Sequence, residues 1–264
     1  MIDPILDHPL LTARYFYPYP NHFDAPFFVQ GDGFSLGCRY LQISDDYPTV
    51  IHFHGNGETV ADYLGDFEEI ITGMGVNLLL AEYRGYGMSG GAPGLTAMLD
   101  DVRLIVEASG VPPRRLIFFG RSLGSLYALH GAYLYPEAAG LIIESGLAEP
   151  LERILARVEP YQLGATMASL ERAVEQHLNQ KRKIENFTGH TLIMHTRNDN
   201  LVNVSHGEKL YAWAREPKEK LIFERGDHNN ILAVNMKAYM GAVERFIARV
   251  ESFSNETLAK GDTK

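Results

Sequence analysis

Six short apolar runs constrain this chain more than any other feature: "TVIHFH" at 49–54, "VNLLLAEY" at 76–83, "RLIFFG" at 115–120, "GLIIES" at 140–145, "TLIMHT" at 191–196 and "KLIFER" at 220–225. Their apolarity is continuous rather than alternating, which suits strands covered on both faces, as in a parallel sheet. Helical periodicity fills the intervals at 58–73, 95–109, 123–135, 205–215 and 230–252. Strand and helix therefore alternate, and right-handed βαβ units build an α/β, mostly parallel, doubly wound sheet. Upstream, "FFVQGDGFSLGCRYLQI" from Phe27 to Ile43 places a Gly-Asp-Gly turn between two β-prone runs, so an antiparallel hairpin precedes the parallel part. The alternation breaks once, at about 146–188, where helical character without a strand marks a small helical cap insertion. The expectation is a single domain over 1–264, with polar residues from about 254 to 264 forming a frayed tail.

Composition narrows the function. The chain has 264 residues, 45% hydrophobic and 22% charged, the profile of a soluble globular protein. A formal net charge of -9 argues against nucleic acid as a partner, and the one basic cluster, Gln180-Lys181-Arg182-Lys183, reads as a solvated helix end. A single cysteine, Cys38, excludes an internal disulfide and favours a reducing compartment. The acidic, proline-containing start "MIDPILDHPLL" lacks the layout of a secretion signal, and no window is long enough for stable membrane insertion. A cytoplasmic location follows as the expectation. The aromatic run "RYFYPYP" at 14–20 is expected to pack along the domain.

The third run ends in Gly120-Arg121-Ser122-Leu123-Gly124 and leads into a helical segment. A serine flanked by glycines two residues away on each side, between strand and helix, fits a tight strained turn that lifts Oγ out of the sheet. A nucleophilic serine needs a base, and the base needs an orienting acid. Asp199 lies in the loop after "TLIMHT" and His228 in the loop after "KLIFE", both at carboxyl ends of parallel strands, where open α/β sheets place their sites. Glu144, at the end of "GLIIE", is a rival acid. Asp227 adjoins His228 and reads as a turn residue.

Attack on a carbonyl builds negative charge on its oxygen, so donors must already face it. The backbone N–H of Leu123 is one candidate, and the N–H of Asn56, in "HFHGNGE" after the first parallel strand, is the other. His52 and His54 form an H-x-H pair, but no third ligand stands at suitable spacing, so no metal is expected and His54 is assigned to packing or hydrogen-bonding beneath the loop. No cofactor is needed.

In order, "HFHGNGE", "EYRGYGMSGG", "GRSLG", "HTRNDNLV" and "GDHNN" resemble the α/β-hydrolase superfamily, over about 27–250. The resemblance is greatest to intracellular α/β-hydrolase-domain serine hydrolases, some of them esterases or protein-depalmitoylating thioesterases. It implies Ser122 as nucleophile, Asp199 as acid, His228 as base, and the amides of Asn56 and Leu123 as oxyanion hole. Where the family often has H-G this chain has His195-Thr196, and Asn203 stands in place of a proline, which alters the shape of the acid loop. Glu82, Arg84 and Arg121 carry structural roles in this reading. The favoured substrate is an apolar, short-to-medium acyl ester or thioester, or a similar small or acylated substrate, with Leu147, Leu151, Ile154, Leu155, Val158, Tyr161, Leu163, Met167 and Leu170 as candidates for packing the cap or lining an acyl pocket. Acyl transfer to an alcohol and a catalytically silent receptor or scaffold remain alternatives, and the oligomeric state is open.

Overall fold

The computed structural model describes residues 2–261, with side-chain surroundings as far as Val250. Eight strands form one sheet: β1 (Phe27–Gln30), β2 (Ser35–Leu41), β3 (Thr49–Phe53), β4 (Asn77–Ala81), β5 (Leu116–Arg121), β6 (Gly140–Glu144), β7 (His190–Thr196) and β8 (Lys218–Phe223). Their order across the sheet is β1-β2-β4-β3-β5-β6-β7-β8. The β1–β2 hairpin and the β2–β4 pair are antiparallel, and every pairing from β3 to β8 is parallel. Every residue of β3, β4 and β6 is buried, which accounts for the unbroken apolar runs.

Two apolar layers sandwich the sheet. On one face α1 (Pro9–Tyr15), α3 (Ala97–Ser109), α4 (Gly124–Leu134) and the helices between β6 and β7 share a cluster that includes Leu11, Leu99, Leu126, Ile154 and Leu170. On the other, α2 (Asp66–Thr72) and α9 (Ile231–Gly261) pack through Ile71, Tyr239, Val243 and Phe246. Helix α8 (Val204–Trp213) lies against β7.

One local difference from the sequence expectation has a physical cause. The helical segment at 58–73 is split into a 3-10 turn, Val60–Tyr63, and α2, because Gly65 sits at φ 76° between them. Val60 and Ile71 nevertheless join the same apolar cluster, so the burial period runs through the break. The tail expected to fray from 254 is helical as far as Gly261, in continuation of α9, and residues 262–264 lie outside the described residues. The segment between β6 and β7 is helical, comprising α5 (Pro150–Leu155), a 3-10 turn at Pro160–Leu163, α6 (Met167–His177) and α7 (Gln180–Asn186). Among the described residues no helix is long and apolar enough to cross a membrane.

Candidate active site

Strand β5 delivers its last residue, Arg121, to the edge of the sheet, and the chain then turns at once into α4. Ser122, in that turn, holds φ at 51°, a left-handed conformation that L residues other than Asn and Asp seldom adopt. The flanking glycines make the turn possible. A Cβ at Gly120 would lie 2.5 Å from the carbonyl oxygen of Gly124, and one at Gly124 would collide with the carbonyl oxygen of Phe53 in β3. Ser122 N–H donates to the Glu144 carbonyl at 2.9 Å, which anchors the turn to the neighbouring β6.

The loops after β7 and β8 converge on this hydroxyl. His228 Nε2 lies 2.9 Å from Ser122 Oγ, and His228 Nδ1 lies 2.8 Å from Asp199 Oδ2. The other carboxylate oxygen of Asp199 accepts the N–H groups of Leu201 at 2.9 Å and Val202 at 2.7 Å. Burial opposes the charge on Asp199, but hydrogen bonds from His195, His228 and the Val202 amide outweigh it and hold the carboxyl well below its ordinary range. His195, whose Nε2 contacts the Val202 carbonyl at 2.8 Å and Asp199 Oδ2 at 3.3 Å, braces the loop from beneath. Sequence reasoning treated His195-Thr196 only as a departure from a pattern; the i, i+4 spacing of His195 and Asp199 was the available signal.

Glu144 is occupied elsewhere. Its carboxylate pairs with Arg121 Nε at 3.1 Å and accepts the Tyr239 hydroxyl, while burial raises its pKa above the usual value. Arg121 also pairs with Glu58 and donates from Nη2 to the His228 carbonyl at 2.9 Å. The arginine thus joins the turn, β6, the loop after β3 and the loop carrying the histidine. Asp227 caps the turn after β8 by accepting the N–H groups of Asn229 and Asn230.

Asn56 and Leu123 line the same cleft as Ser122 and His228, and among the described residues neither backbone amide has a protein acceptor. The Asn56 side chain holds its loop in place, donating to the Tyr15 carbonyl at 2.6 Å and accepting from Tyr17 N–H at 3.0 Å and the Tyr86 hydroxyl at 2.7 Å. Beneath it, buried His54 bridges Glu82 at 2.7 Å and the Gly55 carbonyl at 2.8 Å. His52 packs instead among Tyr63, Phe67 and Phe119. Among the described residues no group of His, Cys, Asp or Glu is arranged to hold a metal ion. Arg84 pairs with Asp101 and stacks on Phe34, remote from the cleft lining.

The cleft measures about 230 Å³ and is more polar than the sequence suggested. Of the nine apolar candidates in the insertion only Leu147 reaches it. Ile154, Val158, Leu163 and Leu170 are buried in the core, while Tyr161 and Met167 face solvent. The insertion contributes Arg153 and Arg157 to the lining as well, two residues that sequence reasoning missed.

A family model described as serine aminopeptidase, S33, matches residues 46–168. The chain is 28% identical to the uncharacterised protein YfhR of Salmonella typhimurium over 232 residues, covering 80% of this chain and 76% of that one. Alpha/beta hydrolase domain-containing protein 17C of Xenopus tropicalis is 26% identical over 204 residues, 75% of this chain and 62% of that protein. Among solved structures, Pyrococcus furiosus esterase Pf2001 superposes with a TM-score of 0.69 at 16% identity, covering 90% of this chain and 98% of that one. The chain has the α/β-hydrolase fold. A second solved structure with the same architecture, Est1E of Butyrivibrio proteoclasticus with ferulic acid bound, aligns at a TM-score of 0.68 and 18% identity over 84% of this chain and 99% of that one. Because β5, β6, β7 and β8 run parallel, the turn carrying Ser122 and the loops after β7 and β8 emerge at the same carboxyl edge of the sheet.

Proposed function

We propose that the protein is a serine hydrolase that cleaves carboxylic ester or thioester bonds through an acyl-enzyme. The relay from Ser122 Oγ through His228 to Asp199, with contacts of 2.9 and 2.8 Å, carries this reading. Ser122 Oγ attacks the carbonyl carbon as His228 Nε2 takes its proton, and Asp199 stabilises the imidazolium that results. Charge developing on the carbonyl oxygen is met by the N–H groups of Leu123 and Asn56, each worth about 10²–10³ in rate in comparable sites. Collapse breaks the bond to the leaving group, which takes the proton from His228. Water then attacks the acyl-enzyme by the same route and releases the acid.

The strained φ of Ser122 favours catalysis over a silent scaffold, because such a conformation persists where the surrounding structure enforces it for a purpose. A free α-amino group, which an aminopeptidase must bind, suits this cleft poorly, since its charged lining is Arg121, Arg153 and Arg157 against Glu58. The only cysteine is buried, which fits a reducing setting, and we assign the activity to the cytoplasm. A fluorophosphonate probe tests the central claim: the folded wild type takes up label and Ser122→Ala does not. Absence of labelling in the wild type, or equal labelling of both, rejects it.

A further inference from the structure

Resting on the serine-hydrolase reading for the chemistry at Ser122, we infer that the substrate carries an anionic group, a carboxylate or phosphate, which Arg153 and Arg157 bind over the nucleophile. Arg153 belongs to α5 and Arg157 follows the α5 C-cap, and both line the cleft that contains Ser122 and His228. Each guanidinium is held without being neutralised. Arg153 donates from Nη1 to the Leu201 carbonyl at 2.8 Å. Arg157 donates from Nη1 to the Arg153 carbonyl at 2.9 Å, and its Cζ stands 4.7 Å above the Tyr15 ring. Its Nε is buried with no partner, and among the described residues neither arginine has a carboxylate partner.

The chain supplies acids in excess, with 33 Asp and Glu against 24 Lys and Arg. Arg39, Arg84 and Arg197 each pair with one, and Arg121 pairs with two. Leaving two guanidinium groups unneutralised beside a nucleophile, with N–H groups still available, creates a fork matched to the paired oxygens of a carboxylate or phosphate. Backbone bonds and the Tyr15 ring fix their positions beforehand, which lowers the ordering penalty when an anion arrives. Glu58, the one acid in the lining, is already paired with Arg121 and does not cancel them. The anion can sit on the acyl part or on the alcohol part of the ester.

Matched ester pairs separate these sources. For the acyl part, mono-4-nitrophenyl adipate is compared with its neutral methyl ester; for the alcohol part, 4-acetoxybenzoate is compared with methyl 4-acetoxybenzoate, all in a phosphate-free buffer and corrected for uncatalysed hydrolysis. In at least one pair kcat/KM favours the anion by about tenfold or more, and the preference shrinks as salt rises. In Arg153→Gln/Arg157→Gln the preference disappears, kcat/KM for the anionic ester falling to that of its neutral partner, and its salt dependence goes with it. Calorimetric titration of Ser122→Ala with adipate monomethyl ester reads the anion site without catalysis, and heat of binding is expected there and lost when both arginines are also replaced. Equal kcat/KM within both pairs of the wild type, or no binding to Ser122→Ala at millimolar ligand, overturns the inference. Loss of fluorophosphonate labelling instead overturns the catalytic reading and leaves the titration to judge the anion site.

Discussion

Glu144 ends β6 and Asp199 lies three residues beyond the end of the neighbouring β7, and their partners distinguish these two carboxylates. Asp199 receives His228 Nδ1, two backbone amides and a contact from His195, all of which favour its charge. Glu144 is enclosed by Arg121 and Tyr239 and holds the sheet edge together. Asp199→Asn keeps the shape but presents the wrong hydrogen-bonding pattern to His228, so kcat should fall by about 10³–10⁴. Glu144→Gln should cost less than about tenfold, and a larger loss in Glu144→Gln than in Asp199→Asn would reverse the assignment. The same residue shapes acid stability. Because its folded pKa is depressed, Asp199 contributes stability that is complete above the unfolded value of about 4 and is lost as pH falls through the folded value. Urea unfolding of wild type and Asp199→Asn from pH 7 to pH 3 should show the acid-side decline reduced in the variant.

The element that matters most is the β5 turn into α4, where backbone approaches backbone with no spare volume. Gly124→Ala drives a methyl group into the Phe53 carbonyl of β3, a contact that cannot be relieved by a side-chain rotation. It should destabilise by about 1–3 kcal/mol or more and displace Ser122, measured as a lower urea midpoint together with reduced fluorophosphonate labelling. Elements of this kind were legible beforehand because G-x-S-x-G between a buried strand and a helix has few structural uses. The six parallel strands were legible for a related reason: burial on both faces imposes an unbroken apolar run. Helix α1 escaped notice since seven residues offer too few turns to reveal a period. Arg153, Arg157 and Glu58 escaped for another reason. Charged residues on helical or loop segments look like a solvated face until tertiary structure turns them into a cleft. The loop proposed to face the oxyanion has glycines that sequence can show, whereas the contacts of its Asn56 side chain join residues 30 to 41 positions apart.

At the scale of the molecule, the N-terminal segment is a strap across the site rather than a peripheral arm. Asp7 accepts Thr96 N–H at the entry to α3, Tyr15 and Phe16 are buried, and Asn21 donates to Thr59. Between these anchors the Tyr15 carbonyl and Tyr17 amide meet the Asn56 side chain, which also accepts from Tyr86 in the "EYRGYG" loop. Two segments distant in sequence therefore converge on the residue whose backbone N–H is proposed to meet the oxyanion. Asn56→Ala keeps that N–H but removes all three contacts. It leaves the Tyr15 carbonyl and the Tyr86 hydroxyl short of a partner, at a cost of about 1–3 kcal/mol for each that stays buried, while the Tyr17 amide keeps the Tyr86 oxygen at 3.1 Å. The donor then shifts instead of vanishing, so the kcat loss should be about ten- to a hundredfold, below the full loss of an oxyanion donor, with KM within about twofold. Tyr86→Phe withdraws one of the donors to Asn56 and should show a smaller loss of the same kind. If Asn56→Ala lowers the melting temperature while kcat stays at the wild-type value, the strap stabilises the fold without positioning the oxyanion loop.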